Sequence, residues 1–85
     1  MIFDYCEQEM TENGMQLHIG LQFEDEPDSL YVAELSAGAD GAVTSWMLYF
    51  NGFDCKYSFK PEEKEALIRY AAEQGIPIAD GTSGP

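Results

Sequence analysis

Carboxylates are the side chains with the most chemical capacity in this chain, and their placement is uneven. Met1 to Asp54 holds no lysine or arginine but eleven carboxylates: Asp4, Glu7, Glu9, Glu12, Glu24, Asp25, Glu26, Asp28, Glu34, Asp40 and Asp54. The four basic residues, Lys56, Lys60, Lys64 and Arg69, all follow, interleaved with Glu62, Glu63, Glu65, Glu73 and Asp80. Of the formal net charge of −12, all but one unit therefore belongs to the first 54 residues. A field this one-sided repels nucleic acid and anionic membrane and attracts basic protein surfaces.

The densest cluster is Glu24-Asp25-Glu26-Pro27-Asp28, four carboxylates in five residues. Carboxylate oxygens hold calcium, but the alternating spacing and the turn glycine of an EF-hand loop are missing. The cluster reads as a solvated acidic loop between the second and third strands, suited to Lys and Arg on a partner. His18 is the only histidine, within cross-strand reach of Glu7 or Glu9. Without a second nitrogen or a thiolate nearby it makes a pH-sensitive contact rather than a metal site. Two cysteines, Cys6 and Cys55, are too few for a disulfide framework. Cys55 is expected in the core as a small hydrophobe, and Cys6 on the outer face with no cation beside it to activate the thiol. Ser45 and Ser58 have no histidine at hand, and paired carboxylates catalyse only in a cleft that separates their pKa values. No catalytic site, cofactor or metal is expected.

The elements that position these groups follow from periodicity. Met15, Leu17, Ile19, Leu21 and Phe23 alternate with polar residues, as a strand with one wet face does. Phe53, Cys55, Tyr57 and Phe59 alternate likewise. Asn51-Gly52 predicts a type I′ turn that sets Phe50 opposite Phe53, Leu48 opposite Cys55 and Trp46 opposite Tyr57. Asp40-Gly41, as a second two-residue turn, sets Ala37 opposite Thr44, Leu35 opposite Trp46 and Ala33 opposite Leu48. Both registers turn the same residues of the middle strand inward, and Trp46 is expected between Leu35 and Tyr57. For the first hairpin, a two-residue Asn13-Gly14 turn would bury Asp4 opposite Phe23. A three-residue loop instead sets Phe3 opposite Phe23 and Tyr5 opposite Leu21, and avoids an unpaired buried carboxylate.

Lys60-Pro61 opens a helix with Glu62, Glu63 and Glu65 at its positive end, and Leu67, Ile68 and Ala71 form its apolar stripe. Gly75 stops it, and Ile76-Pro77-Ile78 returns over the core. The predicted fold class is α+β: a five-stranded antiparallel β-meander with one C-terminal α-helix packed on one face. It forms a single domain over 1–79, followed by a loose polar tail over 80–85. Hydrophobic residues at 45% rule out a disordered acidic tail as the description of the whole chain.

The same registers place Leu30, Val32, Val43, Met47 and Tyr49 on the outer face with Glu34. An apolar patch rimmed by acids has the character of a protein-binding surface. The partner-binding residues expected from the sequence are Glu24, Asp25, Glu26, Asp28, Glu34, Val32, Met47 and Tyr49. The expected partner is the basic surface of a protein that itself binds nucleic acid, with no direct binding of nucleic acid or membrane. This suits a small inhibitor of the phage or mobile-element kind (anti-CRISPR or anti-restriction), or an immunity protein for a nuclease toxin. The competing expectation is a non-catalytic structural or adaptor module that homodimerises through its sheet face or pairs along an edge strand. The N-terminus lacks a basic leader and no apolar run approaches the roughly 20 residues of a membrane span, so a cytoplasmic setting is expected, that of the host for a phage protein.

Overall fold

The computed structural model describes residues 1–81. Five antiparallel strands follow in meander order: β1 (Ile2–Thr11), β2 (Gly14–Phe23), β3 (Glu26–Gly38), β4 (Ala42–Phe50) and β5 (Phe53–Asp54). The helix α1 (Pro61–Glu73) comes after them, and a two-residue strand β6 (Ala79–Asp80) then pairs in parallel with Ala42 and Val43 of β4. Asp80, where the sequence pattern predicts the start of a loose tail, is thus paired with Val43; positions 82–85 of that tail lie outside the described residues. No helix among the described residues is long and apolar enough to cross a membrane.

The registers of the central strands put Leu17 opposite Leu35 and Leu35 opposite Trp46, and Ile19 opposite Ala33 and Ala33 opposite Leu48. These side chains occupy one face of the sheet because cross-strand partners share a face. Leu67 and Ala71 of α1, with Phe59, Ile76 and Ile78, join them in one buried cluster. The helix begins where expected: Pro61 needs no hydrogen-bond donor in the first turn, and Oε1 of Glu63 reaches back 2.8 Å to the Lys60 N–H.

The Asn51-Gly52 turn forms as expected, with both residues in the left-handed region (φ 52° and 81°) and Phe50 opposite Phe53. The strand after it is shorter than the alternation predicts. The Cys55 N–H still reaches the Leu48 carbonyl at 2.9 Å, but Oδ1 of Asp54 accepts from the Lys56 N–H at 2.8 Å and Lys56 takes φ 52°. This side-chain turn competes with the ladder and ends it. Cys55 is consequently exposed rather than in the core, and Tyr57 does not pair with Trp46; Phe53, though paired with Phe50, is exposed as well.

The β1–β2 and β3–β4 hairpins exchange loop lengths relative to expectation. The first closes on the two residues Glu12-Asn13, with Thr11 opposite Gly14. Its register brings Cys6 opposite Ile19, onto the core face, and a bulge between Phe3 and Tyr5 returns Phe3 to that same face. The bulge resolves the problem of Asp4, which stays exposed. The hairpin between β3 and β4 uses three residues, Ala39 to Gly41, and not the Asp40-Gly41 pair. The Gly41 N–H bonds the Gly38 carbonyl at 2.9 Å, and Oδ1 of Asp40 accepts from the Ala42 N–H at 3.0 Å. The extra residue is absorbed by a bulge that sets Ala37 opposite Val43 and leaves Thr44 exposed. Val43, expected on the outer face, is therefore fully buried.

Candidate functional site

The outer face is built from positions that alternate with the core. Val32 lies opposite Tyr49 and Glu34 opposite Met47, as expected, and the four are half-buried. Glu34 is also flanked by His18 of β2, with Nε2 3.3 Å from its Oε2. Glu7 lies on the far side of His18, so Glu7, His18, Glu34 and Met47 form one row across four strands. The imidazole thus meets Glu34 rather than the β1 acids, and the contact becomes ionic when the imidazole is protonated. Burial, followed by the nearby charges of Glu34 and Asp54, pushes the Tyr49 phenol up.

A second row, Tyr5, Gly20, Val32, Tyr49 and Asp54, adds a residue that the expected register turned inward. The Tyr5 ring lies across Gly20 so closely that a Cβ there would fall 2.2 Å from the ring's Cε2. The signal was present in the chain: an isolated glycine inside a regular strand marks a close approach from a neighbour. Leu30 remains exposed at the end of this face, and Val43 is absent from it.

The acidic cluster is not a loop. Glu24 and Asp25 alone form the turn between β2 and β3, with Phe23 opposite Glu26, so Glu26 to Asp28 begin β3. Two of the four carboxylates have partners. Oε1 of Glu24 lies 3.7 Å from the N-terminal ammonium, and Oε2 of Glu26 accepts from the Tyr31 hydroxyl at 3.1 Å. The exposed side chains of Asp25 and Asp28 have neither hydrogen bond nor ion pair among the described residues. The structure therefore divides the expected site into two parts joined by β3: Val32, Glu34, Met47 and Tyr49 on the sheet face, and Glu24, Asp25, Glu26 and Asp28 at the sheet's end.

Beside that end lies a small cleft of about 200 Å³, lined by Phe23, Asp25, Glu26 and Tyr57. It belongs to a chain of rings: Phe50 to Tyr31 (5.0 Å between centroids), Tyr31 to Phe23 (5.2 Å), Phe23 to Tyr57 (5.9 Å) and Tyr57 to Phe59 (5.2 Å). Aromatic faces beside carboxylates bind organic cations through both charge and the ring quadrupole. The cleft was not legible in the sequence because Tyr57 reaches it only after the chain breaks from β5.

Among the described residues, no lysine or arginine forms an ion pair with any of the eleven carboxylates of the first 54 residues. Ten of them are exposed, Glu34 being the half-buried one. Lys64 instead pairs with Asp80 at 3.6 Å and lies 5.2 Å from the Trp46 ring centroid. Burial pushes the Cys6 thiol up, which disfavours the reactive thiolate. No group of three or more His, Cys, Asp or Glu side chains among the described residues is arranged to hold a metal ion.

Fold and surface together describe a small acidic α+β protein with an open sheet. Comparison with protein-family models, with curated proteins and with solved structures finds no match for this chain.

Proposed function

We propose that this protein is a non-catalytic inhibitor that acts in the cytoplasm by occupying the basic, nucleic-acid-binding surface of another protein. The observation that carries the reading is the sheet's set of exposed carboxylates, none of them neutralised by lysine or arginine among the described residues. Surfaces that bind duplex DNA are lined with Lys and Arg to match about one phosphate charge per 1.7 Å of axis. Carboxylates held on a rigid sheet compete for those cations without the flexibility of a disordered acidic tail. In this reading α1 covers the Leu17/Leu35 face of the sheet, and the opposite face and the Glu24–Asp28 end remain free for the partner. The cleft between Phe23, Tyr57, Asp25 and Glu26 receives one Lys or Arg side chain as the central anchor. Anti-CRISPR, anti-restriction and toxin-immunity roles all fit this chemistry, by analogy of charge and size.

The test is capture from host lysate on the immobilised protein, at low and at high salt, with duplex DNA added as competitor. Recovery of basic nucleic-acid-binding proteins that DNA displaces supports the reading. A second reading, an adaptor acting through the sheet face, draws on the half-buried Tyr5, Val32 and Tyr49 of one row and Met47 of the row beside it. Capture indifferent to both salt and DNA would favour that adaptor over the inhibitor.

A further inference from the structure

Among the described residues β1 pairs only with β2, so its outer side has no strand partner along ten residues. The opposite edge is unlike it: β4 is paired at its two ends by β6 and β5. A two-residue turn makes Thr11 and Gly14 a hydrogen-bonded pair, and such pairs alternate along an antiparallel ladder. Glu9, Glu7 and Tyr5 therefore direct their N–H and C=O groups towards β2, and Met10, Gln8 and Cys6 direct theirs outward. The bulge after Phe3 bounds this edge at Tyr5.

Edge strands are commonly blocked by lysine, proline or a short length. From Tyr5 to Thr11 this edge has none of these. What it has is Glu7 and Glu9 on the outer face of the sheet, with exposed Met10 and half-buried Cys6 on the core face. A second copy of this chain is a poor occupant, since antiparallel β1 pairing would bring two glutamates from each copy to neighbouring cross-strand positions. The complementary occupant is an extended segment with a cation at every second position.

We propose that β1 accepts an extended segment of the partner protein as an additional strand, in which Lys or Arg alternates with apolar residues. The cations lie beside Glu7 and Glu9, and the apolar side chains extend the core face past Cys6 and Met10. Backbone hydrogen bonds to Cys6, Gln8 and Met10 hold the segment in register. This rests on the reading that the acids recognise a basic protein.

The probe is a synthetic nonapeptide alternating lysine and valine, compared with a peptide of the same composition carrying its lysines in one block. The alternating peptide is expected to bind about tenfold or more tightly than the block peptide, because only it presents its cations on one face. Gln8→Pro is expected to abolish that preference, since proline removes only an outward N–H on an edge strand. Should Gln8→Pro unfold the protein, amide hydrogen exchange on the unsubstituted protein decides. The peptide then protects Cys6, Gln8 and Met10 and leaves Glu7 and Glu9 unchanged. Equal, salt-sensitive binding of both peptides with no added protection along β1 overturns strand pairing while leaving acidic recognition intact. Binding of neither peptide at low salt overturns this proposal and the recognition reading beneath it. A protein dimer that Gln8→Pro dissociates overturns the choice of occupant.

Discussion

The Tyr57 hydroxyl donates a 2.7 Å hydrogen bond to Oε2 of Glu63, while the other oxygen of that carboxylate accepts from the Lys60 N–H. One glutamate thereby fixes both the start of α1 and the irregular segment that leads into it. The phenol's pKa is pushed up to about 12, chiefly by burial and then by this bond. The folded state thus holds the phenolic proton more tightly than the unfolded chain, whose tyrosines titrate near 10. The resulting stabilisation is complete below about pH 10 and is lost as pH rises through about 12. Tyr57→Phe is expected to cost about 1–2 kcal/mol at neutral pH and to lose less stability on alkaline titration than the unsubstituted protein. Urea unfolding at neutral pH and near pH 11 measures both.

Trp46 is opposite Leu35, with Phe59 (6.2 Å between ring centroids) and Lys64 also beside it, and its buried Nε1 has no acceptor among the described residues. An unsatisfied buried donor costs about 1–3 kcal/mol. Trp46→Ala is expected to lose about 2–3 kcal/mol, less than full burial would imply. Trp46→Phe, which removes the orphan donor and keeps a ring, is expected to stay within about 1 kcal/mol of the parent. Thermal unfolding that ranks Phe with Ala would contradict this account.

Gly20 and Tyr5 are coupled by contact. Gly20→Ala is expected to destabilise by about 1–2 kcal/mol where Tyr5 is present, and to be close to neutral in a Tyr5→Ala background. A double-mutant cycle by chemical denaturation gives the coupling directly, and a value near zero would remove Tyr5 from the outer face.

Asp25 and Asp28 are the acids of the sheet's end whose reversal breaks no side-chain hydrogen bond or ion pair among the described residues. An Asp25→Lys/Asp28→Lys variant is expected to keep its melting temperature while associating several-fold more slowly with the captured partner, with a flatter salt dependence. Stopped-flow association at two ionic strengths is the measurement, and unchanged kinetics would place recognition elsewhere.

Direct nucleic-acid binding is not expected. Three of the four basic residues, Lys60, Lys64 and Arg69, lie on or beside α1 among Glu62, Glu63 and Glu65, so the counterion release that drives phosphate binding is unavailable. A gel shift with single- and double-stranded DNA at low salt tests this. A shift at micromolar protein would also undo the inhibitor reading.

Much of this architecture was legible in the chain. The meander, the Asn51-Gly52 turn, the helix start at Pro61 and the facing pairs Val32–Tyr49 and Glu34–Met47 follow from alternation and turn chemistry, which act over a few residues. Side-chain period and left-handed turn residues carry that information wherever they occur. The rest depended on long-range competition. Val43 or Thr44 can face inward according to one bulge, and the core took the valine because burying it outweighs the extra irregularity. Asp4 could be kept wet by a longer turn or by a bulge, and local sequence does not rank the two. Cys55 continues the alternation of a strand, yet Asp54 captures the next amide and ends it. The acidic run from Glu24 to Asp28 resembles a loop in composition, but pairing of Phe23 with Glu26 draws most of it into β3. Strand identity was therefore set by local pattern. Which side chains met across the sheet was decided by tertiary structure, because bulges and turn lengths are chosen by what the whole core gains from them.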